Sequence, residues 1–532
     1  MNQVEKIGRF VAGPAFPALA SAVVGGLLIV ALCFPNAQGP ADNGDFARVF
    51  TVFCSAPRDL PYFPDPQDPS YSKRFFNFYH RYWAIGDEHR GAVQRSSSLV
   101  LFLPGLLGPL VCRAQYYDLA FNALLLALGI SCVTFLVVRR LSDVFVRVSA
   151  VILLLVMTDA GCSAYLNSFY QEAGIFFFFL LCLLFLFLWS ERRSGGRVMC
   201  VTIVGLLLML AKNGAAPSVA ALLLPVLALS AFSRREGRRA RRASAGAFAL
   251  VLIGGLTVPF IFKNPWYEKI NCYNFIFSAA LPELKPSERD GFLHLLGIDQ
   301  RQAAYSGKTA WEAGNNFQDG VLNPLLGPKL HARAAWTLIL GYPHTAFRLV
   351  AGAARLAGAY PLDELGYKSF QFSPDRQPLG SVQAWSLFRL RVLRGLWAYG
   401  VGCLVVFLVA ALALKTNPGP KLLVSGLVLG SFLASLLQVF VAVFGDGQHE
   451  LARHLYFANL TLDTSLVLGA VILSAHFMRR QGAVCTAGPL ASNDGNATPA
   501  RASGDKEGLL PCRVVHCTVG RVRAEAKLSA KS

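Results

Sequence analysis

Residues 170–197 read YQEAGIFFFFLLCLLFLFLWSERRSGGR, and this stretch decides the fold. No charge interrupts it from Ala173 to Ser190. A helix needs roughly 20 such residues to cross a ~30 Å hydrocarbon layer. The run opens on a carboxylate, Glu172, and closes on a basic cluster, Arg192, Arg193 and Arg197.

Working outward, the same pattern recurs along most of the chain. Apolar runs near 13–34, 115–138, 148–165, 172–190, 198–212, 214–232, 246–263, 396–415, 421–444 and 455–477 predict ten membrane segments. The fifth and sixth meet at Lys212-Asn213-Gly214, so 198–232 reads either as two short spans or as one re-entrant hairpin. Residues 97–112, broken by Pro104 and two glycines, read as interfacial. The first run follows Lys6 and Arg9, and it exceeds the 7–15-residue core of a signal peptide. It therefore reads as an uncleaved anchor.

The totals agree. Charged residues make up 15% of the chain, against about 25% in soluble domains. The net charge of +19 does not predict nucleic-acid binding, because the basic residues sit in short connections between apolar runs and in the tail, as topology signals do. The twelve cysteines form no framework, since most lie in or beside apolar runs, where a thiol is a small hydrophobe. Cys54 and Cys272 fall in two predicted external loops. Cys512, His516 and Cys517 in the tail make an incomplete metal set.

Arginine and lysine placement predicts orientation. With the N-terminus inside, every short inside connection is basic: Arg139, Arg140 and Arg147; Arg192, Arg193 and Arg197; Arg234, Arg235, Arg238, Arg239, Arg241 and Arg242; Lys415 and Lys421; Arg479 and Arg480. The expectation is an all-α polytopic protein of the bacterial inner membrane, with both termini cytoplasmic. It has a transmembrane domain over 1–480, two long non-cytoplasmic loops at about 36–114 and 264–395, and a disordered tail over 481–532, poor in aromatics. Residues 335–359 alternate apolar and basic groups, as a helix lying on the membrane surface would.

Five polar clusters face outward in this topology. Asp42-Asn43-Gly44-Asp45-Phe46 follows the first span; its two carboxylates suit a proton or a divalent cation, or simply a turn. Tyr165-Leu166-Asn167-Ser168-Phe169-Tyr170-Gln171-Glu172 packs aromatics, amides and a carboxylate into one reversal; Glu172 also suits a helix N-terminus. Lys212 is a cation on the side where the charge rule expects few. It reads as paired, phosphate-binding or snorkelling. Lys263-Asn264-Pro265-Trp266-Tyr267-Glu268, running on to Asn271 and Asn274, offers the rings and amides that suit a sugar.

The fifth cluster is the richest: Gly445-Asp446-Gly447-Gln448-His449-Glu450-Leu451-Ala452-Arg453-His454. Arg453 and His454 open a helix at the membrane surface, well placed for a phosphate. Asn459 and Asp463 follow one turn apart on the last span. Asp463 lies deep enough that it is predicted to face the bundle interior.

These motifs resemble those of the GT-C class of integral-membrane glycosyltransferases, in which an acidic residue sits in the first external loop. A closer resemblance is to a bacterial family of multi-spanning glycan-biosynthesis hexose transferases. It is carried by Asn43–Phe46, Asn167–Glu172 and Gly445–His454, and it extends over most of residues 1–480. The resemblance implies a polyprenyl-phosphate-linked sugar donor and a glycan or lipid acceptor on the non-cytoplasmic face. It implies Asp45, or Asp42, as general base, and Arg453, His454 and Lys212 as cations for the departing phosphate. Asn167, Tyr170, Glu172, Asp446 and His449 would hold substrate, with Asp42 and Asp446 as ligands of an optional Mg²⁺ or Mn²⁺. Two other classes share the many spans: a lipid-linked saccharide transporter or flippase, and a non-catalytic partner in envelope assembly.

Overall fold

The computed structural model describes residues 3–33, 39–40, 54–57, 82–85, 96–100, 107, 116–233, 237–261, 265–312, 314, 316–317, 320, 322, 324–357, 365–366, 383–415, 420–447 and 451–486. The chain divides into one compact unit, Met1–Arg479, and a second, Arg480–Ser532. The predicted disordered tail lies outside the described residues from 487 onward.

The protein is an all-α polytopic membrane protein. Each of the ten apolar runs is helical. A short helix α1 (Gln3–Ala12) precedes α2 (Phe16–Cys33), the first span. Then come α3 (Leu119–Arg140), α4 (Val144–Met157), α5 (Ala160–Ser163) with a 3-10 turn to Asn167, α6 (Gln171–Glu191), α7 (Gly195–Ala211), α8 (Ala216–Ala231) and α9 (Arg238–Ile261). Among the described residues, eight helices are long and apolar enough to cross a membrane. The third predicted run, α4 with α5 and its 3-10 turn, passes the same test only as a pair bent by 76°. The fifth, α7, is a shorter apolar helix. It reaches roughly 25 Å at 1.5 Å per residue, and the tight turn Asn213–Ala215 joins it to α8 as a hairpin.

Packing explains which helices lie at the centre. In α6, 83% of the span is buried in the protein, although its apolarity has no preferred face; in the late span beginning at Leu396 the share is 28%. Small residues set the close approaches. A Cβ added at Gly430 would lie 2.2 Å from the Leu222 carbonyl oxygen. Only glycine lets α16 (Pro420–Asp446) meet α8 there.

Two connections differ from the sequence expectation. Arg147, expected as a loop charge, is buried: its Nη1 donates to the Val11 carbonyl at 2.6 Å and its Nε to that of Leu141 at 2.9 Å. It ties α1 to the α3–α4 connection by bonding the bare carbonyls of helix ends. Ser97–Val100, the start of the 97–112 stretch expected at the interface, also packs against the bundle together with Ser96. Ser96 N donates to Leu210 O at 3.4 Å, and Ser97 fills the space above Gly174.

The second long loop is largely helical. It holds α10 (Pro265–Tyr273), a π-helical stretch Asn274–Ala280, α11 (Pro286–Leu296), α12 (Pro328–Gly341), α13 (Pro343–Leu356) and α14 (Ala384–Arg391). The predicted surface helix over 335–359 is two helices, because Pro343 cannot continue α12 but is well suited to open α13. Then come α15 (Leu396–Lys415), α16, the single turn α17 (Leu451–His454) and α18 (Tyr456–Thr486).

Short strands join the two loops. β1 (Gly39–Pro40) pairs antiparallel with β5 (Leu365–Gly366), while β2 (Cys54–Pro57), β3 (Tyr82–Ile85) and β4 (Tyr116–Asp118) form a second antiparallel sheet. Cys272 is buried with a free thiol.

Candidate functional site

The site begins where α6 starts and α7 ends. Glu172 stands in the first turn of α6, where the helix dipole favours a carboxylate. Lys212 directly follows the last turn of α7, where the dipole favours a cation. The two helices pack side by side, so these oppositely charged groups meet. Lys212 Nζ lies 2.6 Å from Glu172 Oε1, with the side chains 16% and 3% exposed. An ion pair this far from water depends on each partner to offset the other's desolvation.

The last span supplies the rest. Arg453 and His454 lie in α17, immediately before α18. Lys212 Nζ is 3.3 Å from His454 Nδ1, so the lysine bridges Glu172 and the imidazole. Gln438 of α16 fixes the turn by donating to the His454 carbonyl at 3.2 Å. The buried Arg453 guanidinium lies over the Tyr170 ring, 5.1 Å from its centroid. That contact holds a cation in place without cancelling its charge.

Aromatic packing supports the same arrangement. Tyr165 contacts Tyr170 at 5.9 Å and Tyr456 at 4.6 Å between ring centroids. The Tyr456 hydroxyl donates to the Cys162 carbonyl. The amide of Asn167 donates to the Leu32 carbonyl at 3.2 Å, joining the end of α2 to this turn. β1, which ends two residues before Asp42, packs against the same turn. Lys212, Glu172, Tyr170, Arg453 and His454 are therefore one cluster, and Asn167 is the joint behind it. Asp42, Asp45 and His449 lie outside the described residues, as do Lys263 and Asn264. Asp446 ends α16, and its side chain is likewise not described. Among the described residues no group of three or more His, Cys, Asp or Glu side chains is arranged to hold a metal.

The fourth and fifth sequence clusters also touch. Gly447 has φ +71°, and a Cβ there would lie 3.0 Å from the Asn274 carbonyl oxygen and 3.1 Å from Ala279. Asn274 opens the π-helical stretch, and its side-chain oxygen accepts from Ala310 N at 2.9 Å. Nearby, Tyr273 donates to Asn316 Oδ1 at 2.7 Å; burial, with lesser help from Glu312 and Tyr305, raises the Tyr273 phenol above its usual range. Gly447→Ala therefore meets both a left-handed backbone, costing about 1–2 kcal/mol, and a carbonyl. We expect a stability loss of at least about 1 kcal/mol by heat or denaturant, together with weaker function, because this glycine leads the chain toward Arg453. An unchanged melting midpoint would show that the turn relaxes.

Sequence reasoning missed three residues. Asp463 is fully buried, as predicted, and Arg389 Nε of α14 pairs with it at 2.6 Å. Trp385 Nε1 donates to its other oxygen at 2.7 Å. Asp159, at the bend between α4 and α5, accepts from the backbone N–H groups of Trp385 and Ser386 at 2.9 and 3.1 Å. A carboxylate inside an apolar run was the signal for Asp159; nothing local marked Arg389 as the partner of Asp463.

The chain matches the family model described as the YfdI N-terminal transmembrane domain, over residues 2–487. No curated protein and no solved structure matches it.

Proposed function

The chain belongs to the YfdI N-terminal transmembrane domain family, and from that premise we propose that it is a membrane glycosyltransferase of the GT-C kind. It moves a hexose from a polyprenyl-phosphate donor to a cell-envelope glycan or lipid acceptor on the non-cytoplasmic face. The observation that carries this reading is the convergence of Lys212 with Arg453 and His454, from two separate segments, beside the Tyr170 ring of a third. Among the described residues Glu172 pairs with Lys212, and the Arg453 guanidinium stands beside them; basic groups gathered in this way suit a phosphate.

The chemistry follows from charge. The acceptor hydroxyl attacks the anomeric carbon and gives its proton to Asp45, or to Asp42 as the alternative base. The bond from that carbon to the phosphate oxygen breaks. The leaving polyprenyl phosphate gains a negative charge as it departs, and preplaced cations stabilise that change most. Lys212 and Arg453 would supply this charge, and His454 would donate a hydrogen bond. Asp446 and His449 would hold the acceptor, and Asp42 and Asp446 are the carboxylates that would ligate an Mg²⁺ or Mn²⁺. The pairing of β1 with β5 supports the reading, because it joins the two loops that must lie on one side of the membrane.

The test is transfer by the purified protein in proteoliposomes supplied with a labelled polyprenyl-phosphate hexose and an envelope glycan acceptor. Asp45→Asn is expected to lower the rate by about 10²–10⁴-fold, the usual contribution of a general base. A fall of less than about tenfold removes Asp45 from that role. A saccharide transporter is the second reading, and the 76° bend in the third span favours it, since broken helices recur in transporters. Lipid-saccharide flux without product would select it.

A further inference from the structure

Helix α14 is the unexpected neighbour of the candidate site. It lies near the end of the long loop predicted to be external, yet its Arg389 is fully buried. Its depth can be judged from three helices whose inner ends are basic. Asp463 is roughly 24 Å along α18 from Arg479, Ser435 about 21 Å along α16 from Lys421, and Tyr399 about 24 Å along α15 from Lys415. Those three residues share one level. The Tyr399 hydroxyl lies 2.9 Å from Ser435 Oγ, and Arg389 and Asp463 are close enough to act on that phenol. All three distances fall short of a ~30 Å layer. The ion pair therefore sits within the membrane, some way below its outer surface, and α14 dips in to reach it.

Each end of α14 is held. At its start, Asp159 accepts from two of the backbone N–H groups that a helix N-terminus leaves without partners, and from the Ser386 hydroxyl. The same carboxylate caps α5 by accepting from Gly161 N at 2.9 Å. At the end of α14, Arg389 pairs with Asp463 and donates to the Leu393 carbonyl. Asp159 lies just before the segment that leads through Asn167 and Tyr170 to Glu172. Asp463 lies about two and a half turns beyond His454. One short helix thus connects the two chain segments whose ends form the cationic cluster.

We infer that Arg389, Asp463 and Asp159 are positioning residues: a membrane-buried lock through α14 sets the third span against the last one and so places Glu172 and Tyr170 beside Lys212, Arg453 and His454. This rests on the transferase reading for its consequence in binding, but the lock itself is a statement about geometry. It also explains why a charge pair is present where an apolar pair would be less costly. A Leu or Met pair has no directional bonds, whereas Asp463 accepts a hydrogen bond from Trp385 while it pairs with the Arg389 charge.

Two readouts keep the lock and the transferase reading apart. The first is maleimide labelling of Cys162, which is fully buried in α5 and is expected to become accessible when the lock is lost; it is read peptide by peptide by mass spectrometry. The second is binding of a polyprenyl phosphate in detergent or nanodiscs. Three full-length variants are compared with the unmodified chain. Arg389→Lys keeps the charge and is expected to hold both readouts within about threefold. Arg389→Met alone leaves Asp463 buried without its cation, and some of it is expected to unfold. The double variant Arg389→Met with Asp463→Leu removes both charges and should fold. In it we expect Cys162 labelling to rise at least about tenfold and polyprenyl-phosphate binding to fall about as much. If the double variant keeps Cys162 protected and binding unchanged, the pair only fills space and the proposal is overturned. If the unmodified protein binds no polyprenyl phosphate, the transferase reading fails, and Cys162 labelling alone decides the lock.

Discussion

On the proposed transferase reading, Lys212→Met is expected to lower sugar transfer by at least about 10²-fold, and it is also expected to destabilise the protein. Both effects have one cause. Among the described residues the Lys212 ammonium is the ion-pair partner of Glu172, whose side chain is 3% exposed. Removing one member of such a pair leaves a charge in a medium that cannot solvate it, at a cost of about 3–5 kcal/mol. The expected transfer loss has a second component, because a cation that stabilises the leaving phosphate, the role proposed for Lys212, contributes about 10²–10³-fold on its own. The double variant Lys212→Met with Glu172→Gln separates the two. It relieves the buried carboxylate, so its melting midpoint returns toward that of the unmodified protein, while its transfer rate stays low. If the double variant transfers sugar at more than about a tenth of the normal rate, Lys212 serves the fold and not the phosphate.

Gly430→Ala gives the largest expected structural effect. In water, alanine in place of a helical glycine stabilises by up to about 1 kcal/mol. Here the sign reverses. The new methyl would stand 2.2 Å from the Leu222 carbonyl oxygen and 3.0 Å from its carbon. Backbone cannot swing aside as a side chain can, so α8 and α16 must separate along a well-packed contact. Overpacking costs about 1–3 kcal/mol where side chains give way, and more than that is expected here. Gly26→Ala is the control, since nothing lies within 4 Å of its added Cβ. It should be neutral or slightly stabilising. Heating detergent-solubilised protein and measuring the fraction that remains monodisperse checks both. Equal midpoints for the two variants would show that α8 and α16 can move apart at little cost.

Much of the fold was legible because membrane insertion is governed by local quantities. Run length against a fixed apolar thickness gave all ten helical segments, including the short α7 and its turn at Asn213. The bend at Asp159 was less legible, because an apolar count over 148–165 does not register a change of direction. The elbow at Tyr342–Pro343 was readable from proline chemistry, but alternation of apolar and basic residues across 335–359 masked it.

The site was partly legible. Glu172, Lys212, Tyr170, Arg453 and His454 each stood out where a charge or aromatic met the end of an apolar run, and the structure brings those five together. Asn167 stood out for the same reason, yet its amide serves a joint with Leu32. Arg389 did not stand out, because among the other arginines of 389–394 it looks like an ordinary loop cation.

The sequence by itself determined that this chain is a bundle of membrane helices with its notable polar groups at the ends of apolar runs. Periodicity, run length and charge placement are properties of short stretches, and the lipid reads them a stretch at a time. Only the tertiary structure decided that Lys212 lies between Glu172 and His454, residues 40 and 242 positions away. It also decided that Arg389 of α14 pairs with Asp463 of the last span. Those contacts depend on which helices pack together, and that choice is made by side-chain fit across the bundle, which no local pattern encodes.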